Sequence, residues 1–369
     1  MKIAIISAHP APYRDVLLTH IANDKRIAAD IYTLFPDDGK HDFGTRTTPY
    51  TTKLIARRGE SSFRIFWRLM RLFLLSKEYD FIMWPCYVHW YERLCILFCI
   101  LLKKKYGFGA DSVEQPRIGK FAMFLKRMIV SHAELIHVPG CKSKNFFVET
   151  FGVSEDRVVC GAYAMDGNAI EKMVLGLREK NHSQIRAKIG VPRNATVFLM
   201  VANMISTRRY DVMCASFVRF AEKHDDCFFV AIGNGPELLK IQKVADIHPC
   251  IKVISGCSFD ELLSYYAASD IYVHGGKEPA STALVIGAIA HLPLISSDAV
   301  GCSYDVVRDH SSGILVGDYE SEEQWTCAFE EILLKREDWI RMGDTARDLS
   351  RVLDVDVAVN EFATALISA

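Results

Sequence analysis

The stretch IYVHGGKEPASTALVIGAIAHLPLISS, residues 271–297, reads as a strand, a glycine turn, an apolar helix and a second strand. A strand–helix–strand run of this length is a crossover joining two parallel strands of one sheet. The helix STALVIGAIAH is apolar all round, so it has to be buried on every side. A carboxylate, Glu278, stands in the turn where the glycines stop, followed by Pro279, Ser281 and Thr282. Ser281 and Thr282 are good caps for the helix that they open, and Glu278 precedes them by about one turn.

Working outward, the same alternation fills the chain. In the first half, strands are expected at KIAIISA, ADIYTLF, TKLIA, DFIMWP, ELIHVP and RVVCGAYA, with helices such as IGKFAMFLKRMIVSHA between them. Residues 166–195, DGNAIEKMVLGLREKNHSQIRAKIGVPRNA, are more polar and read as a linker. Alternation then resumes with TVFLMVAN, CFFVAIG, IKVISG, IYVHGG, PLISS and GILVG. Apolar strands separated by helices mean parallel sheets covered on both faces. The expected fold class is therefore α/β: two Rossmann-like doubly wound domains facing a central cleft.

The 369 residues suit two domains with two cores, and the formal net charge of −1 gives no reason to expect nucleic acid. The eleven cysteines show no CxxC pair, and Cys95 and Cys99 lie in an apolar helix, so buried thiols in a reducing compartment are expected rather than a metal or disulfides. MKIAIISAHPAP reads as a first strand and not as a secretory leader. LCILFCILL, 94–102, is about half the length that crosses a bilayer. A cytosolic protein is the resulting expectation, with contact to a membrane surface left open.

In doubly wound sheets, ligands bind beyond the carboxyl ends of the strands. Four stretches put unusual residues there: VANMISTRRYD, AIGNGPE, VISGCS and HGGKEPAST. Glycines in GNGPE (Gly233, Asn234, Gly235, Pro236) let backbone approach a ligand, although a tight turn explains them equally well. Arg208 and Arg209 follow a buried strand, where two planar guanidiniums suit a diphosphate; the alternative is a solvated surface pair. Backbone amides of Ser281, Thr282, Ala283 and Leu284 open the buried helix and favour an anion by about 0.3–2 kcal/mol through the dipole. Glu278 has the wrong charge for phosphate but accepts hydrogen bonds from hydroxyl groups; its alternative role is to cap the helix. An acid for hydroxyls beside amides for phosphates describes a sugar nucleotide.

With these motifs, the chain resembles the GT-B glycosyltransferases, specifically the retaining family 4 type that builds bacterial polysaccharides and glycolipids. The resemblance spans nearly the whole sequence and is strongest over 196–320. GNGPE matches a G-x-G-P-E turn, and ISGCSFDELLSYYAASDIYV, with Ile254 and Gly256, resembles the segment before the donor strand. Glu278-Pro279 matches the first half of an E-x7-E signature, and SDAVGCSYDVV and SSGILV resemble the segments that come after that signature in the family. Asn203 and Arg208 stand where the family has two cations, so one is lost. The second glutamate, which the resemblance would place on the donor ribose, is replaced by Gly287 or Ile286.

The resemblance implies transfer of a sugar, expected with retention, from a nucleotide-diphosphate donor that is best read as a UDP-sugar. The acceptor would be a saccharide or lipid-linked saccharide. Domains are expected at 1–168 for the acceptor and 169–345 for the nucleotide sugar, with a terminal helix over 346–369 that crosses back. HPAPYR and GADSVEQ resemble the acceptor side, through Pro12, Tyr13, Arg14 and Ser112, with His9 and Asp111 beside Glu278 at the reacting centre. Charge stabilisation by Arg208, Arg209 and helix amides needs no metal cofactor, and DVD at 354–356 lies in the terminal region, away from the crevice.

RRGESSFRIFWRLMRLFLLSK, 57–77, combines Arg57, Arg58, Arg64, Arg68, Arg71 and Lys77 with Phe63, Phe66, Trp67 and Phe73. Such a basic amphipathic helix suits an anionic inner leaflet, and it equally suits packing on its own sheet. Two other functions stay open: a sugar-nucleotide epimerase, which needs no acceptor, and a degenerate homologue that binds without turnover. A dinucleotide oxidoreductase does not fit, because neither half has G-x-G-x-x-G after its first strand.

Overall fold

The computed structural model describes residues 1–37, 48–114 and 118–369, apart from the side chains of Pro12 and Tyr13. It divides into two compact units, Met1–Asp166 with Leu353–Ala369, and Gly167–Val352. Each is built on a parallel sheet.

In unit 1 the strands are β1 (Lys2–Ser7), β2 (Ala28–Thr33), β3 (Thr52–Leu54), β4 (Phe81–Trp84), β5 (Lys105–Gly109), β6 (Leu135–Val138) and β7 (Val158–Cys160). Their order across the sheet is β3-β2-β1-β4-β5-β6-β7. The intervening helices are α1 (Pro12–Asn23), α2 (Ser62–Leu69), α3 (Trp90–Leu101), α4 (Lys120–Ser131) and α5 (Cys141–Phe151). Alternate strand residues feed two cores. Ala4, Ile6, Ile82 and Trp84 pack under α2, α3, α4 and α5. Ile3, Ile5, Phe81 and Met83 pack under α1 on the other face.

Strand β5 escapes the sequence reading because KYGFG carries two glycines where β-branched residues are expected. Gly107 is required: a Cβ there would sit 2.6 Å from the Leu135 carbonyl oxygen and 2.9 Å from Met83 Sδ. Cys95 and Cys99 are fully buried on α3, and burial pushes both thiols up, Cys99 to about 12.

In unit 2 the elements run α6 (Gly167–Ile189), β8 (Thr196–Val201), α7 (Tyr210–Ala221), β9 (Cys227–Ile232), α8 (Leu238–Ile247), β10 (Ile251–Ile254) and α9 (Phe259–Ala267). They continue with β11 (Ile271–His274), α10 (Thr282–Ile289), β12 (Leu294–Ser297), α11 (Ser303–Val306), β13 (Gly313–Val316), α12 (Glu322–Leu334) and α13 (Trp339–Ser350). The sheet order is β10-β9-β8-β11-β12-β13. The quoted stretch is the β11–α10–β12 crossover, with β11 and β12 paired in parallel.

The expected linker is instead the 23-residue helix α6 of unit 2. Its buried stripe begins with Gly167, Ile170 and Val174 and ends with Ile185 and Arg186, and arginines stand where a hydropathy reading looks for apolar residues. Arg178 Nη2 donates to the Ala290 carbonyl at 2.7 Å, at the end of α10. Arg186 donates to the Ala268 carbonyl at the end of α9 and pairs with Asp270 at 2.7 Å; Asp270 in turn accepts from Val197 N in β8 at 2.8 Å. These guanidiniums satisfy helix-end carbonyls that would otherwise be orphaned. Arg186→Ala should therefore destabilise unit 2 by about 3 kcal/mol, read from a urea unfolding midpoint, because it strips a half-buried carboxylate and the Ala268 and Ala195 carbonyls of their buried donor.

The terminal region also departs from expectation. Breaks foreseen after 168 and 345 fall after Asp166 and Val352. α13 belongs to unit 2, whereas α14 (Val355–Ser368) packs in unit 1 beside α1, burying Val359, Phe362 and Leu366 against Leu17, Leu18 and Ile21. The DVD triplet marks the start of α14.

Candidate active site

Strand order reverses between β8 and β11 in unit 2, since β9 and β10 lie to one side and β12 and β13 to the other. Such a switch point opens a crevice beyond the carboxyl ends of the strands. Arg208 closes the short turn Ser206–Arg208 after β8, and Glu278 lies in the turn after β11. The fold brings them together. Arg208 Nη2 pairs with Glu278 Oε2, and Arg208 Nη1 donates to the Lys277 carbonyl at 2.6 Å.

The other Glu278 oxygen, Oε1, is held by His274 Nε2. His274 is fully buried, and its Nδ1 lies 3.0 Å from the Tyr272 hydroxyl and 3.5 Å from Ser281 Oγ. Tyr272 donates to the Val201 carbonyl at 3.2 Å, so the chain of contacts runs from β8 through β11 to the carboxylate. Burial opposes the charge on Glu278, but His274 and then Arg208 outweigh it and hold the carboxyl below the usual carboxylate range. Neither His274 nor Tyr272 was singled out from sequence. The available signal was an imidazole at the carboxyl end of a buried strand, four residues before the acid.

Glycines shape this edge. A Cβ on Gly276 would meet the Thr207 carbonyl oxygen at 2.1 Å, and one on Gly301 would meet that of Pro279 at 1.6 Å. Gly301 N donates to the Glu278 carbonyl at 2.8 Å, so the acid's backbone is clamped from the β12 side. In the GNGPE turn, a Cβ on Gly233 would lie 1.9 Å from the Ala202 carbonyl oxygen, and one on Gly235 2.4 Å from that of Met204. Met204 N donates to the Asn234 carbonyl at 2.8 Å, and Glu237 N to the Met204 carbonyl at 2.9 Å. These glycines seat one loop on another, the simpler of the two roles open to them. Pro236 comes next in the same turn, and Asn203 is exposed in the facing loop. Ile254 ends β10 half-buried, and Gly256, at φ 69°, leaves room for the Asn234 amide.

Two expectations need correction. Arg209 does not join Arg208: it adopts a left-handed conformation, φ 50°, and turns onto Asp211 at 3.0 Å and Glu320 at 2.7 Å. The amides expected at Ser281–Leu284 are also partly consumed. Ser281 Oγ accepts from Leu284 N at 3.2 Å, and Ser281 N donates to Cys302 Sγ at 3.2 Å. Thr282 and Ala283, both half-buried, remain to supply the first-turn donors. A cavity of about 410 Å³ is walled by Thr207, Arg209, Glu237, Lys277 and Glu320, on the Arg209 side of the turn; neither Arg208 nor Glu278 lines it.

In unit 1, His9 comes just after β1, next to that sheet's own reversal between β1 and β4. Arg14 Nη1 lies 3.4 Å from His9 Nε2. Asp111 is exposed beyond β5, 3.5 Å from the Tyr163 hydroxyl, and Ser112 shares a hydrogen bond with Tyr87. Pro12 and Tyr13 open α1, and their side chains fall outside the described residues.

Residues 181–349 match the family Glycosyl transferases group 1. HepE of Anabaena, solved in complex with UDP, superposes over 100% of both chains with a TM-score of 0.76 at 15% identity. WaaG, a glycosyltransferase involved in lipopolysaccharide biosynthesis, does so over 100% of both chains with a TM-score of 0.68 at 13% identity. The chain has the GT-B fold, and its residues 181–349 are similar to the group 1 glycosyltransferases. A curated relative, the D-inositol 3-phosphate glycosyltransferase of Corynebacterium kroppenstedtii, is 25% identical over 174 residues. That alignment takes in 44% of this chain and 38% of the relative's length.

The matched residues include Arg208, His274 and Glu278. Their packing also explains the missing second glutamate. Ile286 is buried within α10, and a Cβ on Gly287 would lie 2.7 Å from the Tyr272 ring. The same Tyr272 that supports His274 therefore forbids a longer side chain at 287. His274, Tyr272 and Gly287 form one packing unit.

Proposed function

We propose that the chain transfers a sugar from a UDP-sugar to a saccharide or lipid-linked saccharide acceptor, with retention, in cell-envelope polysaccharide synthesis at the cytoplasmic membrane face. The observation that carries this reading is the meeting of Arg208 and Glu278 at the switch point of the unit 2 sheet, beside the first turn of α10. Cleavage of a sugar–diphosphate bond leaves negative charge on the β-phosphate and positive character on the anomeric carbon. Arg208 and the Thr282 and Ala283 amides are the donors for that leaving group, so the reaction is expected to run without a metal cofactor. A guanidinium has five N–H donors, so Arg208 has the capacity to grip phosphate oxygens while it holds Glu278. Glu278, oriented by His274, would accept the donor sugar's hydroxyl groups. His9, Arg14, Asp111 and Ser112 are the proposed acceptor-side groups. HepE was solved with UDP-glucose as well as UDP, which supports a uridine donor.

One observation favours a second reading. Both Glu278 oxygens are already engaged, as they would be in a homologue that binds a nucleotide without turning it over. Release of UDP from a UDP-sugar separates the two. Across a nucleotide panel, UDP or a UDP-sugar should raise the melting temperature most, with about 2.7 kcal/mol of added stability at a hundredfold excess over Kd. Arg208→Gln, which keeps a donor for Glu278 but loses the charge, should shrink that shift by at least half; an undiminished shift removes Arg208 from the donor site.

A further inference from the structure

The basic segment 57–77 is not one amphipathic helix. α2 ends at Leu69 and runs into a single wide turn over Met70–Leu74. Phe66 and Phe73 belong to the core, Arg58 pairs with Asp37, and Arg68 is spent on Glu60 and the Ile55 carbonyl. Four of the ten side chains that made the segment look like a membrane anchor face inward or are paired.

The sequence pattern did not show that two neighbouring helices continue the exposed part. α2, α3 and α4 pack on the same face of the unit 1 sheet through Ile65, Cys95, Ile96, Ile129 and Val130, so their outer sides form one layer. That outer side is apolar to an unusual degree for a protein surface. Phe63 and Trp67 on α2 are 59% and 48% exposed, Trp90 and Leu101 on α3 are 45% and 73%, and Phe121 and Phe124 on α4 are 74% and 61%. The rings run on from one helix to the next: Phe66 lies 5.6 Å from Trp67 and 5.9 Å from Trp90.

The charges on these helices have one sign. Arg64, Lys120 and Arg127 are exposed on these helices and Arg71 on the turn that follows α2, while Arg93 on α3 is exposed but donates to the Tyr87 and Val88 carbonyls. The three helices contain a single acid, Glu92, and it is buried. Lys126 is buried against Tyr87, Phe146 and Phe151 and contributes nothing outside.

We propose that the outer face of α2, α3 and α4 docks on the surface of an anionic lipid bilayer, with Phe63, Trp67, Trp90, Phe121 and Phe124 entering the interfacial region and the arginines and lysines among the headgroups. Charge decides the occupant. A second copy of this face would set cation against cation, whereas an anionic leaflet meets both the uniform positive charge and the aromatic rings, which favour the headgroup boundary. On the proposed reading of a lipid-linked acceptor, docking brings unit 1 to the leaflet that carries the acceptor.

The test is co-sedimentation of the full chain with phosphatidylcholine vesicles, with and without phosphatidylglycerol. Wild type should bind the anionic vesicles and lose about tenfold in affinity on neutral ones. Phe121→Ser with Phe124→Ser should weaken binding to anionic vesicles about tenfold or more, whereas Leu239→Ser with Ile340→Ser, at exposed apolar positions of unit 2, should leave it unchanged. The surface is overturned by failure of wild type to bind anionic vesicles, by wild-type binding of the α4 double variant, or by a solution dimer that this variant abolishes. A wild-type circular dichroism spectrum and melting temperature show that the α4 variant is folded, and the UDP-induced melting shift, which reports on unit 2, is measured separately so that a failure of docking stays distinct from a failure of the donor reading.

Discussion

Glu278→Gln should lower sugar transfer about ten- to a hundredfold while leaving UDP affinity within a few-fold of wild type. A hydrogen bond to a charged acceptor contributes about 1.5–3 kcal/mol, and the neutral amide gives up that increment at the sugar hydroxyls but not at the diphosphate. Steady-state transfer rates and UDP titration check the two halves separately. A fall in UDP affinity as large as the fall in rate would place Glu278 in the architecture of the pocket rather than against the sugar.

Glu278→Ala is a different experiment. It leaves Arg208 and the buried His274 without their shared partner, and removing one member of a buried pair costs about 3–5 kcal/mol. The loss should depend on pH. His274 and Arg208 hold the Glu278 carboxyl below its ordinary value, so the folded state favours the ionised form. That contribution is complete above the unfolded pKa of about 4.3 and disappears as pH falls through the lowered folded value. The stability gap between wild type and the Gln variant should therefore be widest near neutrality and close in acid.

Gly301→Ala should be the most damaging one-atom change at the site. The added Cβ would lie 1.6 Å from the Pro279 carbonyl oxygen, a contact only backbone movement can relieve. Overpacking ordinarily costs about 1–3 kcal/mol, and a clash with main chain on both sides should exceed the upper end. For a unit of this size, that is a fall in melting temperature of about 6–12 °C, measurable by calorimetry. Because Gly301 N donates to the Glu278 carbonyl and Val300 bridges to Glu278, the shift also moves the acid. Transfer should drop even at temperatures where the variant is fully folded. Normal melting would mean that the turn around Pro279 relaxes freely.

The β11–α10–β12 crossover was legible because an all-apolar helix between two apolar strands has one stable solution, burial on a parallel sheet. Glu278 was legible for the converse reason, as a charge stranded at the edge of buried elements. Strand β5 was not, since Gly107 answers to the Leu135 carbonyl and Met83, and Gly109 to the Pro85 carbonyl, residues far along the chain. Nor was α6, whose stripe is completed by Arg178 and Arg186; their burial makes sense only with the ends of α9 and α10 in place.

The linear order of residues thus determined the α/β class, the repeated crossovers and the region that carries the candidate site, because periodicity and burial are local consequences of side-chain type. Tertiary structure decided which of Arg208 and Arg209 meets Glu278, that His274 holds it, that Tyr272 excludes a side chain at 287, and that Arg178 and Arg186 close the ends of α10 and α9. Each of these depends on atoms brought together by the sheet order, and a guanidinium or an imidazole takes its role from the partner it is given there.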